Sequence, residues 1–154
     1  MTLVDEARRV DPDGGLVAAF GADYVDAFRI NGTRGATARA WADSSLHGSR
    51  GLFGSIVWHG LLRFDLLPHD APGSAFGWTV STCEPALMVM DTDGSLAAGR
   101  MVFVIDGDAV TWTTMLRYHR AEARWLWAVI GNGHRAIGPR CLNGAAAHLI
   151  GARS

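Results

Sequence analysis

The chain contains no lysine: all 14 of its basic residues are arginines. Schiff-base enzymes, pyridoxal-phosphate enzymes and phosphate-binding P-loops each depend on a lysine amine, so the sequence excludes these classes. A G-x-G-x-x-G segment is also absent, so no dinucleotide site is expected. We therefore expect no cofactor.

Cysteine is scarce. Cys83 and Cys141 lie far apart, form no C-x-x-C pair and have no zinc spacing. We expect both to be small buried hydrophobic residues, with Cys83 as a nucleophile left as an alternative. The histidines show no H-x-x-x-H or H-x-H pair, so we predict no metal site.

Charge is low and balanced. Charged residues make up 19% of the chain, the net charge is −1, and the arginines are interspersed with acids. This pattern argues against nucleic acid and anionic membrane as partners. Uncharged stretches are too short and too broken by glycine to span a bilayer, and the N-terminus lacks the apolar run of a signal peptide. We expect a cytoplasmic protein.

With 154 residues, 49% of them apolar, the chain is long enough to bury a core, and no repeat or linker divides it. We expect one small-molecule-binding domain over residues 1–154. Residues 1–21 predict an irregular start with a short helix near 16–20. Alternation predicts strands at 22–31, 75–83, 96–105 and 109–119, and a short, nearly continuous apolar run predicts one at 85–91. Helical patterns cover 36–47, capped by Thr33, and 51–67.

The tail, residues 121–151, predicts a long helix that its glycines and Pro139 interrupt or divide in two. The order is therefore a strand, two helices, an antiparallel meander and a terminal helix. Because a meander hides only one face well, the terminal helix must cover the rest of that face. This predicts the α+β class, with two short helices and a long interrupted C-terminal helix over a curved sheet.

Two stretches carry a resemblance. One is Asp-Ala-Phe-Arg at 26–29; the other is Thr-Thr-Met-Leu-Arg-Tyr-His at 113–119, followed by an aromatic helix and by His134-Arg135 ahead of Pro139. With this element order, the chain resembles a bacterial branch of the START-related, polyketide-cyclase-like helix-grip superfamily. The resemblance implies an internal cavity between the sheet and the terminal helix that holds lipids, hormones or polyketide intermediates. Some members are cyclases, dehydratases or hydrolases, and many only bind.

Six tryptophans are many for a chain of 154 residues. Large flat rings with one polar edge suit the wall of a pocket for a ring-bearing ligand, although ordinary core packing is the alternative for each ring. Thr114 is a candidate to orient a ligand carbonyl. The aromatic residues that we predict as ligand contacts are Trp58, Trp78, Phe103, Trp112 and Trp127.

Asp26 is the main catalytic candidate. In the first predicted strand it shares a face with Tyr24, Phe28 and Ile30. A carboxylate on an apolar face must be paired, hydrogen-bonded or protonated, because isolated burial is costly. It is either a general base or acid, or part of a salt bridge to an arginine such as Arg63 or Arg117, and we favour the salt bridge.

The last strand and the tail supply the other candidates. Arg117 and His119 match the resemblance, but alternation places them on the face opposite Trp112 and Tyr118. His119 is a proton shuttle or a strand-end histidine, and His134 enters the cavity only if the helix aims it there. We predict Asp26, His119, His134 and Tyr118 as catalytic residues and add Arg117 to the ligand contacts.

Three functions remain open. The first is a cyclase, isomerase or dehydratase acting on a polyketide-like or other ring-forming intermediate in secondary metabolism, with the pocket folding the substrate into a reactive conformer. The second is a binding or carrier protein with the same cavity and no chemistry. The third is a partner subunit whose terminal helix docks through Trp125 and Trp127 on another protein. A homodimer stays open under each of them.

Overall fold

The computed structural model describes residues 6–32, 35–47 and 72–151. The predicted helix at 51–67, with Trp58 and Arg63, lies outside these residues. The elements are β1 (Arg8–Arg9), α1 (Gly14–Phe20), β2 (Tyr24–Asn31), α2 (Ala38–Leu46), β3 (Ser74–Ala75), β4 (Trp78–Glu84), β5 (Leu87–Asp93), β6 (Ala97–Asp106), β7 (Ala109–Tyr118) and α3 (Ala121–Gly151).

The strands form one curved antiparallel sheet in the order β1-β2-β7-β6-β5-β4-β3. The meander from β4 to β7 follows the predicted hairpins, and β2 pairs with β7, so the first long strand lies beside the last. With three helices among the described residues, this is the α+β, helix-grip-like class that the sequence predicts. None of these helices is both long and apolar enough to cross a membrane.

The two faces of the sheet carry different cores. The inner face packs against α2 and α3 through the larger cluster, which includes Phe28, Met90, Phe103 and Trp112. The outer face carries the smaller cluster, in which Phe20 of α1 lies near Val102 and Met115. A side chain's place in the period-2 alternation therefore decides whether it meets the long helix or the short first one.

Local signals account for the helix starts. The Asp13 side chain accepts hydrogen bonds from the backbone N–H groups of Gly15 and Leu16 and so caps α1. The cap of α2 is Thr37, whose hydroxyl accepts from Ala40 N–H at 3.1 Å, and not the predicted Thr33. Thr37 has the extended backbone that an N-cap needs, so the helix begins two residues later than predicted.

Two further details differ from the sequence prediction. The strand expected at 75–83 is split, because Phe76 (φ 55°) and Gly77 (φ 86°) form a turn, and β4 begins only at Trp78. Cys83, expected inside, is exposed near the end of β4.

The predicted long terminal helix is confirmed, but the predicted interruption is wrong, because α3 runs without a break through Gly131, Gly133, Gly138 and Pro139. Proline removes one intrahelical hydrogen bond, so packing must hold this part of the helix in place. At Gly138 an added Cβ would lie 2.4 Å from Phe28 Cε2, which shows how closely the helix backbone approaches the sheet there.

Candidate functional site: a buried aspartate–histidine pair

Asp26 lies in the middle of β2 on the inner face and is 1% exposed. Its Oδ2 atom accepts two hydrogen bonds, one from the Tyr24 hydroxyl at 2.5 Å and one from His134 Nδ1 at 2.8 Å. The favoured arginine partner is not found among the described residues, since Arg117 lies on the other face and Arg63 lies outside them. The buried carboxylate is instead paired with a histidine.

His134 projects from α3 towards the sheet. Because the Asp26 carboxylate can only accept, the Nδ1 atom of the ring carries a proton, and in the neutral ring this tautomer leaves the lone pair on Nε2. The ring lies between Phe28, Trp112 and Trp127, with centroid distances of 6.3, 5.9 and 5.5 Å. The His134 side chain is 23% exposed. His134 is therefore arranged as an oriented base in aromatic surroundings.

The alignment of α3 on β2 creates this pair. Trp127 makes an edge-on contact with Tyr24 at 5.1 Å, and four residues beyond His134 the helix meets Phe28 at Gly138. From Tyr24 to Asp26 to Phe28, the contacting residue on the helix moves from Trp127 to His134 to Gly138. The chain of α3 therefore runs in the same direction as that of β2. The four-residue step from 134 to 138 is one helical turn, which keeps both positions on the face that meets the sheet.

Two members of the network were missed by the sequence analysis. The Tyr24 hydroxyl accepts a hydrogen bond from Arg135 NH1 at 3.2 Å while it donates to Asp26. Burial, and then the Asp26 carboxylate, raise the pKa of Tyr24, so this hydroxyl keeps its proton. Arg135 also donates to the Asn132 side chain. A signal existed for both, since Tyr24 shares the alternation of Asp26 and Arg135 adjoins His134.

The aromatic candidates on the described strands and on α3 are buried in the inner core. Phe103 stacks on Trp112 with centroids 5.5 Å apart and planes 10° apart, whereas Trp78 lies on β4, towards the far edge of the sheet. Thr114 is directly across the β2–β7 pairing from Asp26, on the same face. Four buried polar atoms near the pair have no hydrogen-bond partner in the described part of the chain: Asp26 Oδ1, Trp112 Nε1, Thr114 Oγ1 and Trp127 Nε1.

Three predicted site residues lie away from the pair. Arg117 is on the outer face, where NH1 donates to the Phe20 carbonyl at 2.9 Å and the guanidinium lies 4.9 Å from the ring centroid. His119, just beyond β7, pairs through Nε2 with the exposed Asp93 at 2.6 Å. Tyr118, at the end of β7, packs at the margin of the inner core, and burial raises the pKa of its hydroxyl.

Two surface grooves also lie elsewhere. One of about 450 Å³ is on the outer face, between Phe20, Arg100 and Arg117. The other, of about 430 Å³, is between α2 and α3, where His47 and His148 line it. In the described ranges, no group of three or more His, Cys, Asp or Glu side chains is placed to hold a metal ion. The internal cavity at the Asp26–His134 pair remains a prediction.

Comparison with known proteins adds little at the level of sequence: no family model and no curated protein matches the chain. Among solved structures, protein Ms6760 from Mycobacterium smegmatis is 19% identical over 80% of this chain and 90% of its own, with a TM-score of 0.41. CalU16 from Micromonospora echinospora is 10% identical over 96% of this chain and 99% of its own, with a TM-score of 0.30. Likenesses this weak carry no inference about a ligand or a reaction. What the structure itself defines is a helix-grip-like α+β protein with an aspartate–histidine pair buried between its sheet and its long helix.

Proposed function

We propose that this protein binds a small, largely apolar, ring-bearing molecule between the sheet and α3 and moves a proton on it, with His134 Nε2 as the base. The reaction class is that of a cofactor-independent cyclase, isomerase or dehydratase. The observation that carries the proposal is the 2.8 Å hydrogen bond between His134 Nδ1 and the fully buried Asp26 side chain.

The cost of this pair argues for a role beyond packing. Removing a carboxylate from water is expensive, and an apolar pair of similar volume often stabilises a core at least as well. An aspartate behind a histidine fixes the ring tautomer and stabilises the imidazolium that forms when the ring takes a proton. Asp26 is placed to do both, while Nε2 points away from it. A positioned base of this kind contributes roughly 10²–10⁴-fold to a rate.

The surroundings support an aromatic or polycyclic ligand with oxygen substituents. Trp112 and Trp127 line the His134 ring, and their buried N–H groups have no partner among the described residues. Thr114 adds a buried hydroxyl on the same face. Indole N–H groups only donate, so they favour a ligand whose carbonyl or hydroxyl oxygens accept. A polyketide-like intermediate has this combination of rings and oxygens.

The alternative is a carrier with the same pocket and no chemistry. Its support is that aromatic rings surround His134 on several sides and that Asp26 Oδ2 and His134 Nδ1 are already paired with each other. A carrier needs only the rings and the donors. Docking through Trp125 and Trp127 together is disfavoured, because Trp125 is 75% exposed but Trp127 is buried at 4%.

The chain offers a matched control for the test, because another aspartate–histidine pair in the described ranges, Asp93 with His119, is exposed. Wild type, His134→Gln and His119→Gln are purified from the native host and compared by native mass spectrometry. We expect wild type and His119→Gln to retain the same small molecule. For an enzyme, His134→Gln retains a different one, namely the unconverted substrate. This substrate is heavier than the product by one water if the reaction is a dehydration, and it differs from the product only in its absorption spectrum if the reaction is an isomerisation.

Identical cargo in all three proteins supports the carrier. No cargo in any of them, together with no thermal shift from a panel of hydroxyanthraquinones and naphthols, contradicts both versions of the proposal. The melting temperature of His134→Gln is measured alongside, so that a misfolded variant is not counted as one that has lost its ligand.

A further inference from the structure

We propose that Tyr24 and Arg135 are positioning residues that keep His134 in its basic form: Arg135, acting through the Tyr24 hydroxyl, orients Asp26 and offsets its charge. This inference rests on the proposed function, since it assigns how the same base is regulated. It starts from the direction of the hydrogen bonds.

The direction is set by Arg135. A guanidinium has donors and no acceptor, so Tyr24 must accept from Arg135 NH1. The single hydroxyl proton of Tyr24 is then directed at Asp26 Oδ2. The chain of donors runs from Arg135 to Tyr24 to Asp26, and His134 donates to the same oxygen from the other side.

In this arrangement one oxygen of the Asp26 carboxylate accepts both hydrogen bonds, and the other has no partner in the described part of the chain. Oδ2 receives both donors, whereas Oδ1 is buried and receives none. The carboxylate therefore cannot rotate to offer Oδ1 to His134 without breaking its bond to Tyr24. Tyr24 thus holds the oxygen that orients the imidazole ring.

Charge gives Arg135 its second role. With a neutral His134 ring, the carboxylate and the guanidinium cancel. Among the described residues, the charged or ionisable groups in the hydrogen-bond chain that ends on the ring are Asp26 and Tyr24 on β2 and Arg135 on α3 itself, and β7 adds only the uncharged Trp112 and Thr114 on this face. Protonating His134 would therefore add a second cation, joined to Arg135 by three hydrogen bonds through Tyr24 and the buried Asp26, and the two like charges repel each other.

The position of the guanidinium depends on Gly131. A Cβ at this residue would lie 3.1 Å from Arg135 NH1 and 3.0 Å from Trp127 Nε1, tighter than ordinary contact. The absent side chain leaves room for the arginine to cross the helix surface to Tyr24, where its guanidinium carbon is 5.8 Å from the ring centroid. Gly133, two residues on, has nothing within 4 Å of its Cβ position and is the matched control.

The test follows the His134 Cε1–H resonance against pH in the unliganded full chain, with the resonance assigned by its loss in His134→Gln. Tyr24→Phe and Arg135→Met are each expected to raise the midpoint of this titration by about half a pH unit or more, because each removes stabilisation of the neutral ring. Arg135→Lys, which keeps the charge, should fall between wild type and Arg135→Met. Gly131→Ala should move the midpoint upward, and Gly133→Ala should leave it unchanged.

The double variant, Tyr24→Phe with Arg135→Met, tests whether the arginine acts through the tyrosine. If it does, the double shift is smaller than the sum of the single shifts. An additive pair overturns the relay, and midpoints within about 0.1 unit of wild type in both single variants overturn the whole inference. Because no ligand is present, these results are independent of whether the proposed function is right.

Discussion

The contact between Gly138 and Phe28 permits a direct test of how α3 sits on the sheet. In Gly138→Ala the new methyl group would meet the buried Phe28 ring at 2.4 Å from Cε2 and 2.8 Å from Cδ2 and Cζ. Ordinary contact begins near 3.4 Å, so the ring or the helix must move by about 1 Å. Phe28 is only 1% exposed and has little space to yield.

The expected size of the effect combines two opposing contributions. Overpacking a dense core costs about 1–3 kcal/mol. Alanine gains about 0.5–1 kcal/mol over glycine inside a helix. In Gly133→Ala only the gain applies, because nothing lies within 4 Å of that position. The difference in unfolding free energy between the two variants therefore isolates the packing cost, at about 1–3 kcal/mol.

Urea unfolding, followed by tryptophan fluorescence and far-ultraviolet circular dichroism, measures this difference. Replacing the ring with a smaller side chain should relieve the clash, so Phe28→Leu combined with Gly138→Ala should be more stable than the two single costs predict. Equal stability of Gly138→Ala and Gly133→Ala would falsify the described approach of α3 to β2, and with it the basis for placing His134 on Asp26.

Three further predictions concern ionisable groups. Burial, then a nearby carboxylate, raises the pKa of Tyr24 and that of Tyr118. The stability that each tyrosine contributes is fully present below about pH 10, where free tyrosine ionises, and is lost as the pH rises above it. The tyrosinate absorbance of Tyr24, measured in Tyr118→Phe, should therefore appear together with loss of helical signal. Exposed Cys83 should react first with a thiol reagent, whereas burial raises the pKa of Cys141 and slows its reaction at neutral pH, as serine variants will show. Burial raises the pKa of Asp93, but hydrogen bonds from His119 and from the backbone N–H of Gly94 outweigh this effect, so the pKa is lowered overall. Asp93→Asn should therefore reduce the free energy of unfolding by less than about 0.5 kcal/mol at pH 7, and this difference should vanish as the pH falls below about 4. A larger loss in urea unfolding would mean that this exposed pair is structural.

Much of the fold follows from periodicity. Most strands of the meander alternate with period two, the β5–β6 and β6–β7 turns carry Asp or Gly, and the long tail is left to cover the exposed face of the sheet. The turn at Phe76 and Gly77 was missed because a positive φ at phenylalanine has no sequence signal. The start of α2 was misjudged because two threonines, Thr33 and Thr37, fit the same cap pattern.

The site was predictable only in part. Asp26 is conspicuous as an acid on an apolar face, and the sequence analysis named His134, but nothing in the sequence shows that they meet. Their contact depends on the translation of a 31-residue helix along β2, which close packing at Gly138 sets and side-chain periodicity does not. Without that translation, the sequence analysis favoured Arg63 or Arg117 as the partner of Asp26. It overlooked Arg135, which reaches the carboxylate through the Tyr24 hydroxyl.

The hydrogen bond between Asp26 and His134 joins residues 108 positions apart. Closing a flexible loop of that length costs about 4 kcal/mol in chain entropy, so the pair gains nothing until the intervening strands have docked. During synthesis β2 leaves the ribosome well before β7 and α3, the elements that cover and complete it. A newly made chain therefore carries an uncovered aromatic strand until β7 and α3 have been made, and chaperone dependence should be greatest in that interval.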